Sequence, residues 1–128
     1  MASVNVVDAD GLAPSGTSWA QVVVANGFVF VSGQVAWDEH GAVVGHGSVE
    51  HQTEHVLRNV ERAVEAAGSS MSRLVRIGVY LNDLVHVPAY RETRDRMLDG
   101  VRPASTLVIV SSLVDADLLV EVEAVAAL

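Results

Sequence analysis

The sequence predicts an α+β fold of order β-β-β-α-β-α-β-β in one domain spanning residues 1–128, and three observations carry that expectation. Two apolar runs meet across Asn26-Gly27, a helical apolar period sets in at Val49, and strict alternation runs from Leu118 to Leu128. The first marks a hairpin, the second a helix and the third a strand. Strands and helices so interspersed suit a sheet with one face covered by two helices.

Val4 to Val7 reads as a short strand, and the Gly, Pro and Ser residues between Asp10 and Ser18 as a loop. Gln21–Ala25 and Phe28–Ser32 are the hairpin arms, because Asn-Gly tolerates the two positive φ angles of a type I′ turn. Asp38 to Gly41 is a second turn. Val49, Val56, Leu57, Val60, Ala63, Val64 and Ala67 then recur at helical spacing, with Ser48 placed to cap the start and Gly68 to end it left-handed. Val75, Ile77, Val79 and Leu81 alternate as a strand. Pro88, favoured in a first turn, opens a second helix that runs to about Leu98. Strands around Thr106–Val110 and Leu118–Leu128 complete the order.

The last strand separates two surfaces. Leu118, Val120, Val122, Ala124, Ala126 and Leu128 share one face, which the helices would cover. Leu119, Glu121, Glu123, Val125 and Ala127 share the other, where apolar groups stand beside two carboxylates. Such a face suits either plain solvent or contact with another subunit or a polar cleft.

Half of the 128 residues are hydrophobic and the mean hydropathy is +0.33. A chain of this length buries roughly two-thirds of its unfolded surface, so the composition describes a packed core and excludes general disorder. No apolar run approaches the ~20 residues of a membrane-spanning helix, so no membrane partner is expected. The formal net charge is -8, and all eight basic residues are arginines dispersed along the chain. A polyanion would be repelled, which argues against nucleic acid as a partner. With no cysteine there is no disulfide framework and no thiolate chemistry. Met1-Ala2-Ser3-Val4 lacks the basic and apolar stretches of a secretory signal, so a cytoplasmic location is expected.

Some motifs lead nowhere. His51-Gln52-Thr53-Glu54-His55 spells a zinc pattern with two imidazoles on one helix face, but no third ligand is placed beside it, and both histidines are expected at the surface. Asp8-Ala9-Asp10-Gly11 opens like a calcium loop and lacks its later acidic positions. No G-x-S-x-G elbow supports a serine hydrolase.

Several segments carry a resemblance. They are Phe28-Val29-Phe30-Val31-Ser32-Gly33-Gln34, Gln52-Thr53 with Asn59, Ala66-Ala67-Gly68-Ser69-Ser70, and Val79-Tyr80-Leu81-Asn82-Asp83. Arg102-Pro103-Ala104 and Val120-Glu121-Val122-Glu123-Ala124-Val125-Ala126 continue the set. In that order and spacing, from about Gln21 onward, the chain resembles the RidA/YjgF family. The resemblance implies a chorismate-mutase-like α+β fold, a homotrimer, and ligand clefts between subunits. It also implies hydrolysis of reactive 2-imino or enamine acids to 2-oxo acids and ammonia, with no metal or organic cofactor.

Site positions follow residue by residue from the resemblance. Ser32 and Gly33 stand where family backbone groups contact ligand, with a bulge or tight bend as the other reading of that glycine. Glu121 aligns with the acid that helps position the attacking water; an ion pair across the trimer is its alternative. Ser105, followed by Thr106, stands where active deaminases carry the arginine that holds the substrate carboxylate. A neutral hydroxyl there removes a charge-assisted fork. Trp19 replaces the family tyrosine, and an indole donates a hydrogen bond without accepting one. Arg91 falls where deaminases often place an asparagine, as a relocated anion anchor or a solvated residue on a charged helix face; Arg102 is the other nearby arginine.

These departures leave distinct functional expectations. One is a hydrolase deaminating a small imine or enamine, with poor activity on simple 2-iminoacids. Another is a catalytically weak trimer that binds a small, anionic metabolite. A third is a pathway-specific family member with altered chemistry.

Overall fold

The computed structural model describes residues 3–128. Its elements are β1 (Val4–Val7), β2 (Val22–Ala25), β3 (Phe28–Gln34), α1 (Val49–Ala66), β4 (Leu74–Leu81), α2 (Val87–Leu98), β5 (Ala104–Ile109) and β6 (Val120–Ala127). They form one six-stranded sheet in the order β1-β2-β3-β6-β4-β5. All pairings are antiparallel except β4 with β5. The α+β order that the sequence predicts is the order observed.

Local chemistry explains the boundaries. Asn26 (φ 57°) and Gly27 (φ 81°) both adopt the left-handed region, which closes the β2–β3 hairpin in two residues. The Ser48 hydroxyl accepts the His51 N–H at 3.1 Å and caps α1. At its other end Gly68 (φ 88°) lets its own N–H reach the Glu65 carbonyl (2.9 Å) while the Ser69 N–H reaches Val64 (2.8 Å). This paired closure is the Schellman arrangement.

The helices lie on one face of the sheet: α1 packs against β3 and β6, and α2 beside α1. Beneath them are Val22, Val29, Ile77, Leu81, Val120, Val122 and Ala126, all fully buried. Each such Val, Leu or Ile contributes roughly 1.5–3 kcal/mol through surface removed from water. The opposite face is open. Val4, Val6, Phe28, Phe30 and Val108 are exposed there, beside Val125 and the Glu121 and Glu123 carboxylates.

Four local expectations need correction. β5 begins at Ala104, two residues before the apolar run, because its parallel register to β4 starts at Arg76↔Ala104. β6 spans only Val120–Ala127, and Leu128 is 43% exposed because the chain leaves the strand there to donate its N–H to the Gly27 carbonyl. α1 buries Gln52, Thr53 and Asn59 along with its apolar stripe. The Gln52 side chain clamps the loop before β6, donating to Asp117 O (2.9 Å) and accepting the Leu119 N–H (2.8 Å). Finally, His51 is exposed as expected, but His55 is half-buried with Nε2 2.7 Å from the Trp37 carbonyl, so that nitrogen is engaged by the backbone.

Candidate functional site

The site begins with an irregularity in β3. Val31 pairs with Ala124 and Gln34 with Val122, so Ser32 and Gly33 together face the single residue Glu123. Two residues against one make a β-bulge, which re-aims the strand locally. A polar chain holds it. The Ser32 N–H donates to Gln21 O (2.9 Å) and the Ser32 hydroxyl to Ala20 O (2.6 Å). Gln34 Nε2 donates to Ser32 O (3.0 Å) and Gln21 Oε1 (2.8 Å), and Gln21 Nε2 donates to Ala13 O (2.9 Å).

Gly33 is required by what lies over it. A Cβ built there would stand 2.8 Å from Cδ and 3.1 Å from Cγ of Glu121. The bulge expected as one reading of this glycine is observed, and the space a side chain would take there is filled by a carboxylate of the neighbouring strand. Glu121 is half-buried, and burial raises its pKa above the ordinary value of 4.5, with the negative Glu123 adding to the shift. A carboxyl whose neutral form is favoured in this way is a candidate to give and take protons.

Around the bulge, Trp19, Gln21, Gly33, Gln34, Trp37 and Asn59 enclose a nook of about 30 Å³. That is room for about one water among polar partners. Trp19 is half-exposed at its rim, and its indole lies over Gly16, where a Cβ would meet Nε1 at 2.8 Å. Trp19, Ser32, Gly33 and Glu121 are thus brought together at one end of β3 and β6.

Glu123 repeats the motif one pleat further on. A Cβ on Gly78 would stand 2.9 Å from its Cγ, and Glu123 is the main cause of a raised Tyr80 pKa. Phe30, Arg76, Gly78, Glu123 and Val125 line a hollow of about 200 Å³ on the open face. Thr106 belongs to this side, 3.5 Å from Arg76 Nη1.

Ser105 does not join Glu121. It pairs with Ile77, whose side chain is in the helix-covered core, whereas Glu121 pairs with Tyr80 on the open face. The two positions are two strands and three residues apart, roughly 10 Å across the sheet and 10 Å along it. Ser105 instead lines a pocket of about 420 Å³ between β5 and the C-terminal end of α2, with Arg94, Asp95, Leu98 and Arg102. Arg91 is exposed on α2 and lines neither this pocket nor the Gly33 nook.

Sequence reasoning missed Gln21, Gln34 and Gly78. Gln34 stood in the segment Phe28–Gln34 that carries the resemblance, without a role of its own; for Gln21 and Gly78 the signal was polarity, or a lack of side chain, in or beside an apolar strand.

A family model described as endoribonuclease L-PSP matches residues 11–128. A RutC family protein of Pyrococcus abyssi is 32% identical over 108 residues, covering 84% of each chain. The crystal structure of yeast Mmf1 superposes with a TM-score of 0.92 at 27% identity, covering 98% of both chains. That of Escherichia coli TdcF with bound serine gives 0.88 at 25% identity, covering 96% of this chain and 98% of that one.

Proposed function

The chain belongs to the RidA/YjgF family, whose model is described as endoribonuclease L-PSP, and from that membership we propose that it hydrolyses a small reactive imine or enamine in clefts between subunits. The observation that carries this reading is the Glu121 carboxyl over Gly33, half-buried and raised in pKa by that burial. Glu121 takes a proton from a water as its oxygen bonds to the imine carbon, and passes it to the nitrogen to give a carbinolamine. It then takes the hydroxyl proton and delivers it to the amine as the C–N bond breaks, so ammonia leaves and a carbonyl remains. Orientation and proton transfer are the only means this step requires, so no metal or organic cofactor is invoked.

The separation of Ser105 from Glu121 supports assembly. A chain whose two half-sites face opposite ways completes a cleft by lending one half to a neighbour, and the apolar open face suits a homotrimer. In this reading Trp19, Ser32 and Gly33 with Glu121 form one wall, Ser105 and Arg91 are the positions to test for the other, and Thr106 is to be tested on the open face beside Arg76. Bound serine in TdcF supports a small polar molecule as the ligand class.

A second reading is favoured by Ser105 itself. A hydroxyl in place of a guanidinium weakens the hold on a 2-imino carboxylate, which suits a catalytically weak trimer that binds a small anionic metabolite, or a pathway-specific member with altered chemistry. Ammonia release from freshly generated imines of alanine and leucine separates these. Hydrolysis predicts measurable release that falls about 10²-fold or more in Glu121→Gln and rises in Ser105→Arg. Release equal in wild type and Glu121→Gln across a range of imines would overturn the hydrolase reading in favour of binding.

A further inference from the structure

We propose that Glu123 and Tyr80 are positioning residues that act through Glu121: the Tyr80 hydroxyl holds Glu123 as a carboxylate, and the repulsion between the two carboxylates decides when Glu121 can serve as a base. The proposal deepens the hydrolase reading above and rests on it for the link to turnover. Its ground is the layout of the open face. Glu121 and Glu123 alternate onto one side of β6, with Cα atoms roughly 7 Å apart. Each lies over a glycine, but on opposite neighbours. Glu121 lies over Gly33 of β3, and Glu123 over Gly78 of β4, where a Cβ would stand 2.7 Å from its Oε1.

That divergence decides which carboxylate the phenol serves. In the β4–β6 register Tyr80 stands opposite Glu121, and Gly78 opposite Glu123. Glu121 leans away toward β3 while Glu123 leans toward β4, so the Tyr80 hydroxyl donates to Glu123. The charge of Glu123 and that bond hold the phenol proton more firmly than in free tyrosine. Arg76 lines the hollow with Glu123 but makes no ion pair among the described residues; its Nη1 donates to Thr106 Oγ1 at 3.5 Å. β3 and β5 bring no titratable side chain to this face.

A hydrogen bond donated to a carboxylate favours its charged form, so Glu123 ionises before Glu121. Glu121 then titrates beside a fixed negative neighbour, which adds to the larger effect of its burial. At such a separation two like charges move a titration by about half a pH unit in water, and by more where the dielectric is lower. A homotrimer that covers the open face would exclude water between them and strengthen the repulsion. The consequence is confined to the acid side, because well above its titration Glu121 is ionised with or without this neighbour.

The test follows Glu121 and Glu123 in the full chain by NMR of their side-chain carboxyl carbons across pH, beside pH profiles of kcat/KM for ammonia release. Glu123→Gln keeps the shape and removes the charge, and should lower the Glu121 midpoint by about half a pH unit or more. The profile should move with it, raising kcat/KM on the acid limb up to about threefold, a gain that structural damage does not produce. Glu123→Asp keeps the charge and should hold the Glu121 midpoint near wild type. Tyr80→Phe should raise the Glu123 midpoint. Glu92→Gln, which removes one charge from the exposed side of α2, should move neither. A Glu121 midpoint unchanged in Glu123→Gln, or lowered equally by Glu123→Asp, would overturn the proposal, as would a Glu123 midpoint indifferent to Tyr80→Phe. Turnover that needs Glu121 while its profile ignores Glu123→Gln would leave the hydrolase reading standing and remove this one. The expected midpoint shifts in a chain with no turnover on any imine would establish the coupling and remove the hydrolase reading instead.

Discussion

The carboxylate of Glu121 occupies the volume that a side chain at position 33 would fill. Because the obstructing atoms belong to a side chain that can rotate, Gly33→Ala should displace the carboxylate and leave the fold intact. The expected result is a melting temperature within a few degrees of wild type and turnover down about tenfold or more. Gly78→Ala is the comparison. There Glu123 Cγ itself stands 2.9 Å away, so overpacking should cost about 1–3 kcal/mol while turnover per folded molecule holds. Equal turnover in wild type and Gly33→Ala would separate the glycine from function.

Glu121 also ties stability to pH. Its folded pKa lies above 4.5, so in the window between 4.5 and the raised value the native state binds more protons than the unfolded chain. Stability therefore falls as pH rises through that window, and the penalty is absent below it. Glu121→Gln should be more stable than wild type at neutral pH and should converge with it in acid. Denaturant midpoints at a series of pH values would show this; a constant difference at every pH would contradict the raised pKa.

Assembly should depend on the open face. Light scattering should return about three times 13.5 kDa at micromolar concentration. Phe30, 45% exposed beside the Glu123 hollow, would lie within such an interface, and Phe30→Asp should give a monomer that remains folded by circular dichroism. A trimer that survives this change would move the contact elsewhere.

Despite the ribonuclease in the family model's description, single-stranded RNA should not be a ligand. With a net charge of -8 and no basic cluster, any association should be no tighter than the ~10⁻⁴ to 10⁻⁶ M of non-specific binding. Fluorescence anisotropy against a labelled oligonucleotide at two salt concentrations would decide it.

Legibility in the sequence followed the range of the interaction. Asn26-Gly27, the Ser48 cap and the Gly68 stop act over a few residues, and each was readable from neighbours alone. The alternation of β6 was equally plain and assigned Glu121 and Glu123 to the open face. The bulge at Ser32-Gly33 was not decidable, because it depends on which residues of β6 lie opposite. No local rule pairs Gly33 with Glu121, or Gly78 with Glu123, across strands far apart in the chain. The position of β5 was blurred because its first residues, Ala104 and Ser105, are held by β4 and carry little apolar signal of their own. Arg91 and Arg102 looked alike as arginines; only the path of α2 into the turn before β5 shows which one borders a pocket.

The placement of β6 between β3 and β4 has a consequence for how the molecule comes into being. Until residues 120–127 leave the ribosome, the hairpin of β2 and β3 and the parallel pair of β4 and β5 have no edge in common. The nascent chain therefore carries two unjoined half-sheets with exposed apolar edges, a species prone to aggregation. Folding waits on contacts between the two ends of the chain, and that closure, costly in entropy, sets a slow pace. Destabilising β6 should thus lower soluble yield in cells more than its effect on the finished protein's melting temperature would suggest.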